Sequence, residues 1–306
     1  RARRGAEKQT LLHSKKSSSD KSEKTQTRSI LRVCILAHES HFERLLTLAH
    51  GAATPPPGLA RIALALSFGI VVHSVFAIAV TAMIAAMYFG MSRSVGNVAW
   101  PYAILANAAL IIQFPLVHSL LLTGPGGGWL ARIVPGQHGS TLSTTTYAVI
   151  ASTQLFALFA FWTPSGIVWW QAEGAGLYLM SALYTSAWFW LIKASWDAGA
   201  EVQSGALGWM SLMQNKRPRF PDMPTSGLFR IIRQPIYLSF ALTLWAVPTW
   251  TPDQLALAVS LTSYCLFAPL LKERRFKKRY GERFEAYKES VPYMIPQARA
   301  QRRNCH

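Results

Sequence analysis

Residues 234–271, QPIYLSFALTLWAVPTWTPDQLALAVSLTSYCLFAPLL, contain one charged side chain, Asp253. A Thr-Pro-Asp sequence at 251–253, typical of a turn, divides this stretch into two uncharged runs, Gln234–Pro252 and Gln254–Leu271. A helix of about 20 apolar residues, rising ~1.5 Å per residue, crosses the ~30 Å hydrocarbon core of a bilayer. We therefore predict a transmembrane helical hairpin whose two outer ends lie on the same side of the membrane.

Further uncharged runs precede this hairpin. A charge at the bilayer centre costs at least ~2.5 kcal/mol, so the gaps between charged residues locate the membrane spans. The expected spans are Ile62–Phe89, Ala99–Thr123, Tyr147–Trp162 and Leu177–Ile192. The Gly-Pro-Gly-Gly-Gly sequence at 124–128 predicts a loop. Together these features predict an all-α polytopic integral membrane protein with about six transmembrane helices, ending in the helical hairpin and an amphipathic cytoplasmic helix.

The composition supports a membrane protein. Of the 306 residues, 51% are hydrophobic and 15% are charged, against about 25% charged in soluble domains. The net charge of +17 could indicate a nucleic-acid-binding protein, but 11 of the 31 basic residues lie in 1–57 and another 11 in 271–306. We therefore expect anionic lipid headgroups as partners of the two basic ends, and no nucleic acid. The three cysteines are widely spaced, so no metal site is predicted.

The same charge distribution predicts the domain organisation. Residues 1–57 form a basic, largely disordered tail, with 14–28 the least apolar part; residues 58–296 form the transmembrane domain; and 297–306 form a second basic tail. The bias of Lys and Arg between loops places both termini on the cytoplasmic side, and we expect a bacterial inner membrane.

The hairpin brings polar residues together at its open end. Arg233 and Gln234 precede its first helix, Tyr237 lies one turn into that helix, and Glu273 follows the second. These side chains either form a site or anchor the helix ends to lipid headgroups. The stretch Lys272–Glu289 is predicted to be an amphipathic helix, which either lies at the membrane surface or covers a pocket at the mouth of the hairpin.

The residues around the hairpin resemble the C-terminal signature of the isoprenylcysteine carboxyl methyltransferase superfamily. The string GLFRIIRQPIY at 227–237 is followed after the hairpin by Glu273, by Tyr-Gly at 280–281 and by Val-Pro at 291–292. The family pattern has Arg-His-Pro-x-Tyr, a helical hairpin, a Glu-Glu pair and a closing Val-Pro. Two positions differ here, because Gln234 replaces the family's His and Lys272 replaces the first Glu.

A second stretch is similar to the methanethiol S-methyltransferase branch of that superfamily. It includes the sequence FPLVHS at 114–119, RIVP at 132–135 and the Phe-Trp-x-Pro sequence at 161–164.

The resemblance implies a membrane methyltransferase that uses S-adenosyl-L-methionine, bound at the cytoplasmic ends of the last helices. Glu273 would pair with the cofactor's ammonium group or a ribose hydroxyl, and Arg233 would hold its carboxylate. Tyr237 or Trp245 would face the positive sulfur. The implied cofactor-binding residues are Arg233, Gln234, Pro235, Tyr237, Glu273 and Tyr287.

His118 is the candidate for acid–base chemistry. An ionisable residue within a membrane span is a candidate functional residue, and His118 would deprotonate a thiol before methyl transfer. Arg233 has a second catalytic role in this interpretation, because its charge favours the thiolate. Alternatively, His118 is neutral, bonds to a carbonyl or to Ser119, and holds helices together.

Three functions remain open from the sequence. The first is S-methylation of a small thiol such as methanethiol. The second is methylation of a lipid-like acceptor, as an isoprenylcysteine carboxyl O-methyltransferase or a phospholipid N-methyltransferase. The third is a non-catalytic membrane protein whose methyltransferase pocket has decayed at Gln234 and Lys272.

Overall fold

The structure is a computed structural model that describes residues 41–134 and 136–296. The expected disorder of 14–28, the expected basic tail 297–306 and Pro135 lie outside the described residues. The chain divides after Leu46 into two units, and all described elements except the start of the first helix lie in the second unit, Thr47–His306.

The described part of the chain is almost entirely helical. Its α-helices are α1 His41–Ala53, α2 Leu59–Tyr88, α3 Tyr102–Leu121, α4 Gly124–Ile133, α5 Gly139–Ala160, α6 Gly174–Asp197, α7 Ala200–Gln203, α8 Ala206–Met213, α9 Pro235–Trp245, α10 Pro252–Tyr280 and α11 Glu282–Ser290. A 3-10 turn covers Gly227–Arg230. Two short strands, β1 Trp170–Gln171 and β2 Thr249–Trp250, pair antiparallel.

Among the described helices, five are long and apolar enough to cross a membrane, namely α2, α3, α5, α6 and α10. This confirms an all-α polytopic membrane protein. The two helices of the expected hairpin are α9 and α10. At 11 residues α9 is shorter than the ~20 residues a span needs, and the chain reaches the turn through β2 instead.

The glycine-rich sequence at 124–128 is part of helix α4, so the predicted loop is wrong. Thr123 Oγ1 caps the helix by accepting from the Gly126 amide at 3.2 Å, and Pro125 occupies the first turn, where a missing amide proton costs nothing. Gly126 packs on the end of α3, where a Cβ would lie 2.3 Å from the Leu120 carbonyl oxygen. Tertiary packing and a good cap outweigh the poor helix propensity of glycine here.

The expected amphipathic helix Lys272–Glu289 is divided between two helices. α10 continues past the membrane span to Tyr280, the chain turns at Gly281 with φ 54°, and α11 begins at Glu282. Glycine adopts this left-handed conformation without the penalty that other residues incur.

Helix α5 begins at Gly139, earlier than the span expected from residue 147, because its polar start is satisfied by another part of the chain. Thr145 is fully buried; its hydroxyl donates to the Gly205 carbonyl at 2.7 Å and accepts from the Trp209 amide at 3.0 Å. Neither bond could be read from the local sequence.

The turn of the hairpin is fixed by a buried carboxylate. Asp253 accepts from Trp162 Nε1 at 3.0 Å and from the Ser165 amide and hydroxyl at 2.9 and 2.6 Å. Buried carboxylates are stable only with such partners. Above it, an apolar core from α2, α5, α6, α9 and α10 holds the helices together, with Met87, Phe159, Leu244 and Leu261 at or near zero exposure. These contacts set the positions of the residues at the hairpin's open end.

Candidate active site

Arg233, Gln234 and Glu273 meet at the open end of the α9–α10 hairpin. Arg233 Nε donates to Glu273 Oε1 at 3.0 Å, and Gln234 Nε2 donates to the same oxygen at 2.9 Å. All three residues are buried. The antiparallel arrangement expected from the sequence therefore brings the guanidinium, the amide and the carboxylate together.

Arg233 is held in place by the segment that follows α11. Its Nη1 donates to the carbonyl oxygens of Lys288 and Val291 at 3.0 and 2.5 Å. The backbone amides of Arg233 and Gln234 donate to the Pro292 and Tyr293 carbonyls at 2.9 and 3.2 Å. The closing Val-Pro sequence thus supplies main-chain acceptors that fix the guanidinium. Among the described residues no hydrogen bond reaches Arg233 Nη2 or Glu273 Oε2, and the guanidinium carbon lies 5.5 Å from the centroid of the Tyr293 ring.

The 3-10 turn before Arg233 is fixed from two directions. Tyr287 Oη donates to the Phe229 carbonyl at 2.6 Å, and the Leu228 amide donates to Asp197 Oδ2 at 2.8 Å. Burial raises the pKa of Tyr287 above its ordinary value, so the phenol keeps the proton that this bond needs. Asp197 also pairs with Lys193 at 2.5 Å.

Gly227 allows this close approach between the turn and Asp197. Its φ is 59°, and a Cβ there would lie 2.2 Å from Asp197 Oδ2. We expect Gly227→Ala to lower both thermal stability and ligand affinity more than Gly166→Ala does. Gly166 also has a positive φ, 76°, but open space around its Cβ position, so it carries only the backbone penalty of about 1 kcal/mol. Thermal unfolding in detergent measures the difference, and equal losses would show that the Asp197 contact is unimportant.

The Lys272 ammonium lies inside the same site. Lys272 Nζ donates to Gln234 Oε1 at 3.2 Å. It also faces three aromatic rings, those of Phe229, Tyr237 and Phe276, with its nitrogen 5.5, 5.8 and 5.4 Å from the ring centroids. These distances are typical of cation–π contacts.

The residues around Lys272 enclose a cleft with about 220 Å³ of space between atoms. About 10 Å³ of it is wide enough for water, roughly the room of one molecule. The cleft is therefore almost filled by its own side chains. Its walls are Pro224, Phe229, Arg233, Gln234, Lys272, Glu273, Phe276, Phe284 and Tyr287.

An ion pair ties the loop in front of this cleft to α11. Arg283 Nη2 lies 2.6 Å from Asp222 Oδ2. Burial opposes ionisation of Asp222, but the hydrogen bond and charge of Arg283 outweigh it and hold the pKa of the carboxyl below its ordinary value. The pair links α11 to the segment carrying Pro224, and α11 contributes Phe284 and Tyr287 to the wall of the cleft.

His118 lies in a second polar cluster, within the membrane span of α3. The Tyr147 hydroxyl is 2.9 Å from His118 Nδ1 and 2.8 Å from Nε2. Phe114 packs on the imidazole with ring centroids 5.1 Å apart, and Ser119 Oγ lies 3.4 Å from the Tyr264 hydroxyl. Ser119, the alternative partner expected for His118, therefore bonds to Tyr264.

Tyr264 joins this cluster to α10, the helix that also carries Lys272 and Glu273. Its ring centroid lies 6.4 Å from that of Phe114, and its hydroxyl lies 3.4 Å from Ser119 Oγ.

Not every expected site residue lines the cleft. Arg233, Gln234, Glu273 and Tyr287 do, and Tyr237 contacts the ammonium that fills it. Pro235 begins α9 and is not part of the wall. His118 is on α3, outside the cleft. Trp245 is at the other end of α9, where it donates to Thr262 at 2.9 Å, so Tyr237 is the aromatic residue of this pair near the cleft.

Four residues of these clusters were not predicted from the sequence. Phe229 and Phe276 face the ammonium, and Tyr147 and Tyr264 accompany His118. Phe229 lies within the string at 227–237, and Phe276 begins the aromatic face of the expected amphipathic helix, so both had a sequence signal. Tyr147 and Tyr264 had none, because their roles depend on how α3, α5 and α10 pack.

Comparison with known proteins agrees with these features. No family model and no solved structure matches the chain. The chain is 26% identical over 201 residues to the methanethiol S-methyltransferase of Pseudomonas deceptionensis, covering 65% of this chain and 75% of the relative. It is 26% identical over 195 residues to the methanethiol S-methyltransferase of Mycobacterium tuberculosis, covering 63% and 78%. It is also 29% identical over 188 residues to nurim of Xenopus laevis, covering 56% and 62%.

The structure brings the residues of the hairpin signature together at one end of α9 and α10. Together with the similarity to methanethiol S-methyltransferases and to nurim, this supports placing the chain in the isoprenylcysteine carboxyl methyltransferase-like superfamily, on its methanethiol branch.

Proposed function

We propose that this protein is an S-adenosyl-L-methionine-dependent membrane methyltransferase that methylates a small thiol such as methanethiol. One observation carries the proposal: the open end of the α9–α10 hairpin holds a buried guanidinium, a buried carboxylate and a cation surrounded by three aromatic rings. The methanethiol S-methyltransferases among the relatives support the choice of acceptor.

The chemistry of the donor set fits the proposed cofactor. The cofactor has a positive sulfur, an ammonium group and a carboxylate. Arg233 Nη2 is free to pair with a carboxylate, and Glu273 Oε2 is free to accept from an ammonium group or a ribose hydroxyl. Gln234 already donates to Glu273, a role that the His of the family pattern could also fill. When bound, the cofactor supplies a methyl group on a sulfur that leaves as a neutral thioether.

His118 is proposed to take the proton of the acceptor thiol. The Tyr147 hydroxyl can accept from the N–H of one imidazole nitrogen, so that the lone pair of the other nitrogen can take a proton. His118 would take the proton that the thiol loses, and the bound cofactor would supply the methyl group for the thiol sulfur. Alignment of the thiol with the methyl donor would supply most of the catalysis, since effective molarities of well-oriented reactions are high.

The orientation of the protein is part of the proposal. We propose that the cleft opens to the cytoplasm of a bacterial cell and that both termini lie there. The support is the bias of basic residues, because Arg230, Arg274, Arg275 and Lys277 all lie at the cleft end of the hairpin. Their charges would also attract anionic lipid headgroups.

Cofactor binding and turnover test this function together. Calorimetry on detergent-purified protein is expected to show micromolar binding of S-adenosylhomocysteine, and Glu273→Ala should lose it. Glu282→Ala is the matched control, because Glu282 is an exposed acid on α11 outside the cleft. No binding at millimolar ligand would overturn the proposal.

Labelled methyl transfer then identifies the acceptor and the side of entry. Methanethiol is expected to be methylated, whereas a farnesylcysteine analogue and phosphatidylethanolamine, supplied in parallel, should not be. Since the cofactor does not cross membranes, inverted vesicles should use externally added cofactor and right-side-out vesicles should not. Methylation of a lipid-like acceptor alone would show that the protein is an isoprenylcysteine or phospholipid methyltransferase instead.

A further inference from the structure

We infer that Phe229, Tyr237 and Phe276 form a binding subsite for an organic cation, and that Lys272 occupies this subsite as a tethered competitor of the cofactor's positive sulfur. The inference rests on the proposed function and adds the place of the sulfonium and a control on its binding. The three rings are called the cage below.

The cage matches a sulfonium better than it matches an ammonium. An ammonium group has three N–H donors, and Lys272 makes one hydrogen bond to a described residue, to Gln234. Its remaining donors face ring surfaces, which attract the charge but are weak hydrogen-bond acceptors. A sulfonium has no N–H group, so the same three rings satisfy it completely.

The cage and the Arg233–Glu273 ion pair are together complementary to the charges of the proposed cofactor. The carboxylate of Glu273 and the guanidinium of Arg233 line the same cleft as Phe229 and Phe276. A ligand with a positive sulfur and a zwitterionic tail could therefore place each charge opposite a suitable group. The sulfur position is the one that Lys272 Nζ now fills.

Lys272 must leave before a cationic ligand enters. The cleft has free room for about one water molecule, so the ammonium and a sulfonium cannot both be accommodated. Because Lys272 is part of the chain, its ammonium group competes at a high effective concentration. The apparent affinity of the incoming ligand is the intrinsic affinity multiplied by the fraction of protein in which Lys272 has left the cage.

The charge of the ligand separates this inference from a general steric block. S-Adenosylmethionine and S-adenosylhomocysteine differ at sulfur by one methyl group and one positive charge. A neutral thioether gains little from the cage, and a nearby ammonium does not repel it. Removing the lysine charge should therefore help the sulfonium ligand more than the thioether ligand.

The test compares both ligands by calorimetry on four proteins: wild type, Lys272→Met, Lys272→Arg and Lys278→Met. Methionine keeps the length of the side chain without its charge, and arginine keeps the charge. Lys278 is an exposed lysine on the same helix, outside the cleft, and serves as the matched control. Circular dichroism and gel filtration check that each variant is folded.

We expect Lys272→Met to raise the affinity for S-adenosylmethionine by about tenfold or more relative to S-adenosylhomocysteine, in line with desolvated cation–π contacts. Lys272→Arg and Lys278→Met should leave the ratio of the two affinities near the wild-type value. Adding Phe276→Leu to Lys272→Met should then lower the affinity for the sulfonium more than for the thioether.

Two results would overturn the inference, and they are distinguishable. If both ligands bind but Lys272→Met leaves their ratio unchanged, the cage is not a sulfonium subsite and the proposed function still stands. If neither ligand binds to wild type or to Lys272→Met, the proposed function fails and the inference fails with it.

Discussion

Replacing Arg233 by methionine is expected to lower the free energy of unfolding by about 3–5 kcal/mol and to abolish cofactor binding. The Arg233 and Glu273 side chains are only 9% and 11% exposed, so the substitution leaves a buried carboxylate without its counter-charge. It also removes the donor to the Lys288 and Val291 carbonyls, which releases the segment after α11. Glu273→Leu should be destabilising for the matching reason, an unpaired guanidinium.

The double variant Arg233→Met/Glu273→Leu separates stability from function. With both charges removed, no buried ion is left unpaired, so it should be more stable than either single variant and still not bind S-adenosylhomocysteine. Thermal unfolding in detergent and calorimetry measure the two properties. The control is Lys277→Met, which breaks a surface pair with Glu285 whose members are 69% and 37% exposed, so it should change stability far less than either buried variant. Single-variant losses that simply add in the double variant would contradict coupling of the pair.

Replacing His118 by alanine is expected to reduce the rate of thiol methylation by about 10²–10⁴-fold while cofactor affinity stays near the wild-type value. This range is typical for loss of a general base. His118 lies in the α3–α5 cluster with Tyr147 and not among the residues of the cleft, so the two effects can be separated. Tyr147→Phe keeps the ring but removes the hydroxyl and should lower the rate by a smaller factor.

Acceptor acidity gives the diagnostic measurement for His118. A more acidic thiol, such as an aromatic thiol, is already ionised to a greater extent and should depend less on the base. His118→Ala should therefore lower the rate of methylation of the aromatic thiol by a smaller factor than it lowers the rate with methanethiol. His73→Ala is the control, because His73 also lies in a membrane helix but interacts with Trp209. An equal loss with both thiols, or a fall in cofactor affinity, would assign His118 a structural role.

Much of the membrane architecture follows from the sequence because its causes are local. The cost of burying charge places the spans, and five of the expected regions contain helices that are long and apolar enough to cross. The hairpin needs only two apolar runs and a Thr-Pro-Asp turn. Because its helices are antiparallel, the same pattern also places Arg233 and Gln234 beside Glu273, and their side chains share one oxygen.

Propensity failed where particular contacts outweigh it. The glycine-rich sequence at 124–128 has a poor helix propensity, yet α4 forms because Thr123 caps it and Gly126 packs on the end of α3. The polar start of α5 suggested a boundary, but the Gly205 carbonyl, 60 residues further along the chain, accepts from the Thr145 hydroxyl. Propensity sums the preferences of single residues, whereas both outcomes depend on specific partners, and the second partner is distant in sequence.

The amino-acid sequence by itself determined the class of protein, the hairpin and the charged pair at its open end, since spacing and charge cost are properties of the chain. Only the tertiary structure decided what surrounds that pair. From the sequence alone, Lys272 is an unfavourable positive charge beside a cationic ligand. In the fold, its ammonium group lies between three aromatic rings. The reason is physical: a cation–π contact depends on which ring faces meet, and ring orientation is set by packing between the 3-10 turn, α9 and α10.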